Sequence, residues 1–169
     1  SDRLNQFIKI YIQVGANDKY VDSLEELADK LMPFVSDRSG NHKLAKTYVD
    51  RGVKYLHTTN PHHLAKALDY FHKAKDLWLQ GETGEGYVLS LLNISQLYSA
   101  LNMNFAAKYY ALSAAWFSIN NNPEKLAKRI ANSFGLLVYC DYKQGSWFSA
   151  LDSFKFYMRT RIDFDGRPL

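Results

Sequence analysis

The segment EGYVLSLLNISQLYSALNMNFAAKYYALSAAWFSINN, residues 85–121, carries the clearest structural signal in the chain. Apolar residues recur in it at intervals of three and four, the spacing that places side chains on one face of an α-helix. Asn102 and Asn104 interrupt that pattern near its middle. The segment therefore predicts two helices, at about 85–101 and 104–120, that fold back antiparallel across a short connection.

Small residues mark the predicted contact between these two helices. In the second helix, Ala107, Ala111 and Ala114 are spaced by four and then three, which keeps them on one face. In the first helix, Ser95 lies three residues before Tyr98. Because interhelical distance depends on the side chains at the contact, small residues there let the two helices approach closely.

The same arrangement recurs before and after this segment. The corresponding residues are Gly52, Tyr55, Ala67, Phe71 and Ala74 in the earlier copy, and Val138, Asp141, Ala150, Phe154 and Tyr157 in the later copy. The later copy departs from the pattern, since valine and aspartate replace the small residue and the tyrosine. The second-helix sets recur after 40 and 43 residues. They predict three helix pairs, at 41–80, 84–121 and 123–161.

Turn and cap residues define the ends of the predicted helices. Asn60-Pro61 and Asn122-Pro123 each place an N-capping side chain before a proline at the first helical position. They predict helices at 61–79 and 123–143, after a first helix at about 43–57. Gly145 predicts a turn before a last helix at about 146–161.

Residues 1–40 predict a further, less regular helix pair or an N-terminal cap. Two apolar stripes at helical spacing carry this prediction: Leu4, Phe7, Ile8, Tyr11 and Ile12, then Leu24, Leu27, Ala28 and Leu31. Residues 36–41 predict a loop, with Asn41 as the N-cap of the next helix. Residues 1–169 form one predicted domain, and a start at Ser1 without methionine suggests a fragment of a longer protein.

These phased pairs resemble the tetratricopeptide repeat (TPR), a helix-turn-helix unit of about 34 residues. The resemblance covers about residues 41–161, in units longer than the commonest form of the family. It implies an all-α fold in which antiparallel helix pairs stack as an α-solenoid and the first helices line a concave face. An irregular helical bundle is the alternative that the residues leave open.

The resemblance implies a non-catalytic scaffold or sensor module that binds a protein or peptide segment on the concave face. The implied partner-binding residues are Lys46, Val49, Asp50, Val53, Leu89, Leu92, Asn93, Gln96, Asn132, Leu136 and Tyr139. An asparagine amide both donates to and accepts from a peptide backbone. Asn93 and Asn132 are therefore the leading candidates for holding an extended ligand, against the alternative that their amides are satisfied within the helices.

Catalytic and metal-binding motifs are absent from the sequence, which predicts that the chain is not an enzyme. It contains no phosphate loop ending in Gly-Lys-Ser/Thr, no Gly-x-Ser-x-Gly elbow and no His-Glu-x-x-His. His57, His62, His63 and His72 lack the spacing of convergent ligands, so neither a metal nor a cofactor is predicted. The lone Cys140 lies in an apolar run and predicts a buried thiol.

Composition favours a folded domain outside the membrane. Hydrophobic residues make up 47% of the 169 residues, and no apolar run is long enough to span a bilayer. One cysteine and no signal-peptide pattern predict a cytoplasmic location.

The net charge of +4 leaves two alternative partners open. Single-stranded nucleic acid is one, although Lys46 is the one basic residue of the implied groove and phosphates would need more. Self-association through an uncapped end of the solenoid, giving a homo-oligomer, is the other.

Overall fold

The computed structural model is all-α and describes residues 3, 6–8, 10, 18–31, 38–56, 58–80 and 84–165. Its helices are α1 (Asp18–Leu31), α2 (Arg38–Tyr55), α3 (Pro61–Leu79), α4 (Glu85–Ala100), α5 (Asn104–Asn121), α6 (Ala127–Lys143) and α7 (Trp147–Asp165). Residues 6–8 are also helical, and the described residues contain no β-strand. The prediction of an all-α fold is confirmed. None of these helices is long and apolar enough to cross a membrane.

Several predicted helix ends agree with the structure. α3 begins at Pro61, where Asn60 is extended and its Oδ1 accepts a hydrogen bond from the N–H of His62 at 3.0 Å. This is the predicted N-cap followed by proline. Gly145 closes the turn between α6 and α7 with φ +72°, a left-handed conformation that favours glycine.

The predicted start of α2 is wrong. The helix begins at Arg38, so Asn41 lies inside it and does not cap it. Serine, glycine and asparagine favour a loop at this point, but tertiary packing outweighs that local preference. The ring of His42 packs edge-on against Trp78 of α3, with ring centroids 4.5 Å apart.

The predicted start of α6 also needs correction. Residues 123–126 form a separate turn, and the helix proper begins at Ala127. Asn122 keeps its capping role within that turn, since its Oδ1 accepts from the N–H of Lys125 at 3.1 Å. The cap therefore starts the turn rather than the helix, because helical hydrogen bonding becomes regular only after Leu126.

The small-residue faces pack as predicted in the first two pairs. The residues that are 0% exposed there are Ala67, Phe71 and Ala74 of α3, and Ala107, Ala111 and Ala114 of α5. The hydroxyl of Ser95 donates to the carbonyl of Ala107 at 2.8 Å and so joins α4 to α5. In the third pair Ala150 is buried but Phe154 is 43% exposed, which corrects the prediction of a core position.

Two contacts between residues 44 apart tie α4 to α6. Arg129 of α6 pairs with Glu85 at the start of α4, with Nη2 and Oε1 2.7 Å apart. Lys143 at the end of α6 donates to the carbonyl oxygen of Ser99 near the end of α4, at 3.2 Å. Because both contacts join residues with the same separation, α4 and α6 run side by side in the same direction.

α1 and α3 also run side by side in the same direction. Lys66 and Lys73 of α3 pair with Asp22 and Asp29 of α1, and each pair is again 44 residues apart. Consecutive helices from α2 to α7 pack on each other, and α4 also contacts α6. This packing of adjacent helices is consistent with a helical repeat.

An N-terminal helix pair at 1–40 stays a prediction. Leu4, Tyr11 and Ile12 of its first stripe lie outside the described residues. Of the described members, Ile8 is buried and Phe7 is exposed.

Candidate binding surface

The first helices of the three pairs, α2, α4 and α6, each present an outward stripe at the predicted groove positions. The exposed members are Lys46, Asp50, Val53, Gln96, Asn132 and Tyr139, and the partly buried members are Val49, Leu89, Asn93 and Leu136. Matching positions on successive helices are 43 residues apart, as in Asp50, Asn93 and Leu136. We call these residues the groove stripes.

Leu92 does not belong to the groove stripes, which corrects the sequence-based expectation. It is 6% exposed and lies in a core cluster with Val88, Leu91, Ala114 and Leu126. Because this cluster fills the space between the second and third pairs, the side chain of Leu92 has almost no surface left for a partner. Leu136 packs against the same cluster and keeps only part of its surface outside.

The side-chain amides of Asn93 and Asn132 make no hydrogen bond within the described part of the chain. This argues against the alternative that both amides are satisfied inside their helices. Since α4 and α6 run in parallel and are tied at both ends, the two asparagines lie on neighbouring stripes of one surface.

The groove stripe of α2 borders a cavity of about 400 Å³. Asp50 and Val53 line it from α2, and Gln6 and Ile8 line it from the N-terminal residues. The part of the predicted surface on α2 is therefore a cleft with two walls.

A buried charged cluster between α1 and α3 was not predicted from the sequence. Glu25 is 6% exposed, and its Oε1 has no hydrogen-bond partner among the described residues. Burial raises the pKa of the Glu25 carboxyl, although the hydrogen bond from Tyr70 and the charge of Lys66 act in the opposite direction. The spacing of Asp22, Glu25 and Asp29 along one helix was the one sequence signal for this cluster.

A second unpredicted polar group joins α5 to the third pair. The carboxylate of Asp141 is 0% exposed, lies 2.6 Å from Nζ of Lys108 and accepts from the hydroxyl of Ser149 at 2.7 Å. Asp141 occupies the position of Tyr55 and Tyr98 in the earlier pairs. A buried ion pair thus replaces the aromatic contact at this junction.

An aromatic cluster lies between the first and second pairs. Tyr98 and Tyr110 stack with ring centroids 5.5 Å apart, and the ring of His72 meets Tyr110 edge-on at 5.6 Å. Burial lowers the pKa of His72, and the nearby charge of Lys75 lowers it further. Burial and the charge of Lys75 thus favour the neutral imidazole, whereas the charges of Asp76 and Asp69 act in the opposite direction.

We expect His72 to make the stability of the protein depend on pH. Its pKa is lower in the folded than in the unfolded chain, so its contribution to stability is fully present above the ordinary histidine pKa. That contribution is lost as the pH falls below the ordinary pKa and through the lower pKa of the folded chain. Urea unfolding at intervals between about pH 7.5 and 5.5 should show this loss. In His72→Gln the loss should be smaller.

His62→Gln is the matched control, because His62 is an exposed histidine at the start of the same helix. His72→Gln also gives up the ring contact with Tyr110, so the slope of stability against pH is the readout rather than its level. Equal slopes for wild type and His72→Gln would contradict the assignment.

Cys140 is 0% exposed, and burial raises the pKa of its thiol. The prediction of a buried structural cysteine is confirmed. Among the described residues, no three His, Cys, Asp or Glu side chains converge as metal ligands would.

Comparison with protein-family models, with curated proteins and with solved structures finds no match for this chain. The candidate surface is therefore defined by its own geometry: the parallel helices α4 and α6, outward stripes at a constant interval, and two asparagine amides without hydrogen-bond partners among the described residues.

Proposed function

We propose that the chain is a TPR-like solenoid module that binds a protein or peptide segment along the groove stripes, in the cytoplasm. One observation carries the proposal: the outward residues of α2, α4 and α6 recur every 43 residues, while α4 and α6 run in parallel. Parallel helices with matching outward residues form one extended surface, which suits an extended ligand.

The chemistry of the groove stripes favours a peptide main chain. Asn93, Gln96 and Asn132 offer amides that donate and accept hydrogen bonds, and Leu89 and Tyr139 offer apolar surface beside them. This combination of apolar surface with a few polar groups is common at ligand-binding sites.

The charges of the groove stripes argue against nucleic acid. Lys46 and Asp50 lie four residues apart on α2 and offset each other, and no other charged residue belongs to the stripes. A phosphate backbone would need several basic side chains along its path. A bound peptide should accordingly show little loss of affinity as the salt concentration rises.

No catalytic role forms part of the proposal. The two acidic residues that are buried in the described part of the chain, Glu25 and Asp141, lie within helix packing and not on the groove stripes. Each faces lysine at a helix interface, which suits a structural role.

We expect an Asn93→Ala, Asn132→Ala double variant to bind an extended peptide at least about tenfold more weakly than wild type, since each lost amide contact costs roughly 1 kcal/mol. The ligand would be selected from a library of displayed random peptides. Its affinity for each variant would then be measured by fluorescence polarisation at two salt concentrations.

Asn120→Ala, Asn121→Ala is the matched control, because it removes two exposed amides from the end of α5, a second helix. Selected peptides that bind wild type and Asn93→Ala, Asn132→Ala equally would place the ligand elsewhere. Affinity that falls steeply with salt would instead favour nucleic acid or another polyanion.

A further inference from the structure

α5 carries its largest apolar side chains on the outside and its smallest on the inside. The inward face consists of the buried alanines described above together with Ser118. The outward face consists of Phe105 (86% exposed), Tyr109 (64%), Leu112 (49%), Trp116 (67%) and Ile119 (48%). We call these five residues the α5 stripe. Helices of globular proteins normally bury such a face, and no other described part of the chain covers the α5 stripe.

The spacing of the α5 stripe is that of a helix–helix seam. Its members follow one another at intervals of four, three, four and three, the a/d pattern along which two helices interlock. The residues beside it are small or uncharged, including Ala106, Ser113 and Asn120. A helix with the same seam could therefore approach it closely.

The α5 stripe is not a general property of the repeat. In α3, the positions that correspond to Tyr109 and Trp116 hold Asp69 and Asp76. In α7 they hold Asp152 and Arg159. Leu112 corresponds to His72 of α3 and Lys155 of α7, so the three central positions of the stripe are polar in both other pairs. α7 exposes apolar residues at other positions, among them Phe148, which corresponds to Phe105. The apolar middle of the α5 stripe therefore requires an explanation specific to this helix.

We propose that the α5 stripe is the interface of a homodimer, in which α5 packs antiparallel against α5 of a second copy. The two-fold axis passes beside Leu112, so that Leu112 meets its own counterpart. Tyr109 then faces Trp116 of the other copy, and Phe105 faces Ile119. Large side chains therefore face large side chains near the middle of the interface, and an aromatic side chain faces an aliphatic one at each end. The antiparallel direction also places the two helix dipoles in opposite orientations, which is electrostatically favourable.

Charge favours a second copy over a charged partner. α5 contains no acidic residue, and its single basic residue, Lys108, already pairs with the buried Asp141. Two copies would therefore meet without like-charge repulsion. A basic or an acidic partner helix would find no counter-charge beside the α5 stripe.

The area of the α5 stripe is sufficient for a weak dimer. Aromatic side chains carry roughly 150–250 Å² each, so the exposed fractions of the five residues amount to roughly 600 Å² per copy. Two copies would bury roughly 1,200 Å², the lower limit for a specific interface. We therefore expect a dissociation constant in the micromolar range.

The dimer uses a different surface from the proposed peptide groove. The α5 stripe lies on a second helix, whereas the groove stripes lie on the first helices α2, α4 and α6. It is also distinct from self-association through an uncapped end of the solenoid, the alternative that the sequence left open. Both copies would keep their groove stripes uncovered, so dimerisation and peptide binding are testable separately.

Sedimentation equilibrium over about 1–200 µM tests the association. We expect the mean mass of wild type to rise from that of one chain towards that of two. Leu112→Glu, which brings two carboxylates together at the axis, should weaken the dimer at least tenfold. Trp116→Gln should also weaken the dimer at least tenfold. This second variant tests the proposal if Leu112→Glu does not fold.

Phe148→Glu is the matched control, since Phe148 is 88% exposed on α7, outside the α5 stripe. It should dimerise like wild type. The proposal is overturned by a concentration-independent monomer, by a dimer that survives both α5 substitutions, or by equal weakening in the control.

Cysteine cross-linking tests the antiparallel direction. Under mild oxidation Leu112→Cys should form a covalent dimer, because a residue beside the axis meets itself within reach of a disulfide. Tyr109→Cys should not, because its neighbour is Trp116 of the other copy. The native Cys140 is buried and does not interfere. Cross-linking of Tyr109→Cys as readily as Leu112→Cys would indicate parallel helices and contradict the proposed interface.

Discussion

Replacing Lys108 with methionine is expected to lower the free energy of unfolding by about 3 kcal/mol, because it leaves a buried carboxylate without its counter-charge. Asp141 is 0% exposed, and Nζ of Lys108 lies 2.6 Å from its Oδ1. The hydroxyl of Ser149 still donates to the other oxygen of the carboxylate, but a neutral hydrogen bond does not replace an ammonium ion. Chemical denaturation followed by circular dichroism measures the loss.

Two further variants separate the buried ion pair from general effects of removing a lysine. Lys155→Met breaks an exposed pair with Asp152 on α7, whose side chains are 60% and 72% exposed, and should cost under about 0.5 kcal/mol. Lys108→Met, Asp141→Leu replaces both charges and should recover most of the stability, since an apolar pair of similar size is often tolerated. Similar losses for Lys108→Met and Lys155→Met would show that the ion pair is not a structural anchor.

Gly52→Val should destabilise the protein by about 2–3 kcal/mol, because no side chain fits between α2 and α3 at this point. A Cβ atom at position 52 would lie 2.8 Å from Cε2 of Phe71, a ring that is 0% exposed. The ring cannot move aside without opening the core. Thermal and urea unfolding of the variant would both show the loss.

The loss of stability in Gly52→Val should depend on the size of the side chain at position 71. In Gly52→Val, Phe71→Ala the new side chain occupies space that the ring vacates, so the double variant should be no less stable than Phe71→Ala alone. Gly135→Ala is the control, since its Cβ would meet Tyr157 at an ordinary 3.5 Å and alanine favours the helix by about 0.5–1 kcal/mol. Additive losses in the double variant would mean that Gly52 and Phe71 do not limit each other.

The third pair shows the same relation in the native sequence. Val138 occupies the position of Gly52, and Phe154, which corresponds to Phe71, is 43% exposed rather than buried. A larger residue on the first helix thus accompanies an aromatic ring that lies outside the core. We expect Gly52→Val to displace the ring of Phe71 from the core of the first pair in the same way.

The helix pairs could be predicted from the sequence because their signals are local. The spacing of Ala107, Ala111 and Ala114, and the cap at Asn60, each involve residues within two turns of one helix. The start of α2 could not, because the local signal of Ser39, Gly40 and Asn41 favours a loop, and the contact of His42 with Trp78 joins residues of different helices.

The polar junctions of the fold were not predictable for a related reason. Lys108 and Asp141 are 33 residues apart, and nothing near either of them in sequence shows that they meet. The α5 stripe was not predictable because its residues have the spacing of a core face, so the sequence alone does not show that they lie outside. Trp116 and Tyr109 are instead mostly exposed, while alanines occupy the inner face.

The constant interval of 44 residues between tied positions also bears on how the chain folds. Each helix from α2 to α7 packs on the helices adjacent to it in sequence, so the contact order is low and no distant segments must meet before packing begins. Such a chain can nucleate in one pair and propagate outward, as nearest-neighbour theories of linear arrays describe. The central helices α4 and α5 have neighbours on both sides and should therefore unfold last. The helices at the two ends should fray first.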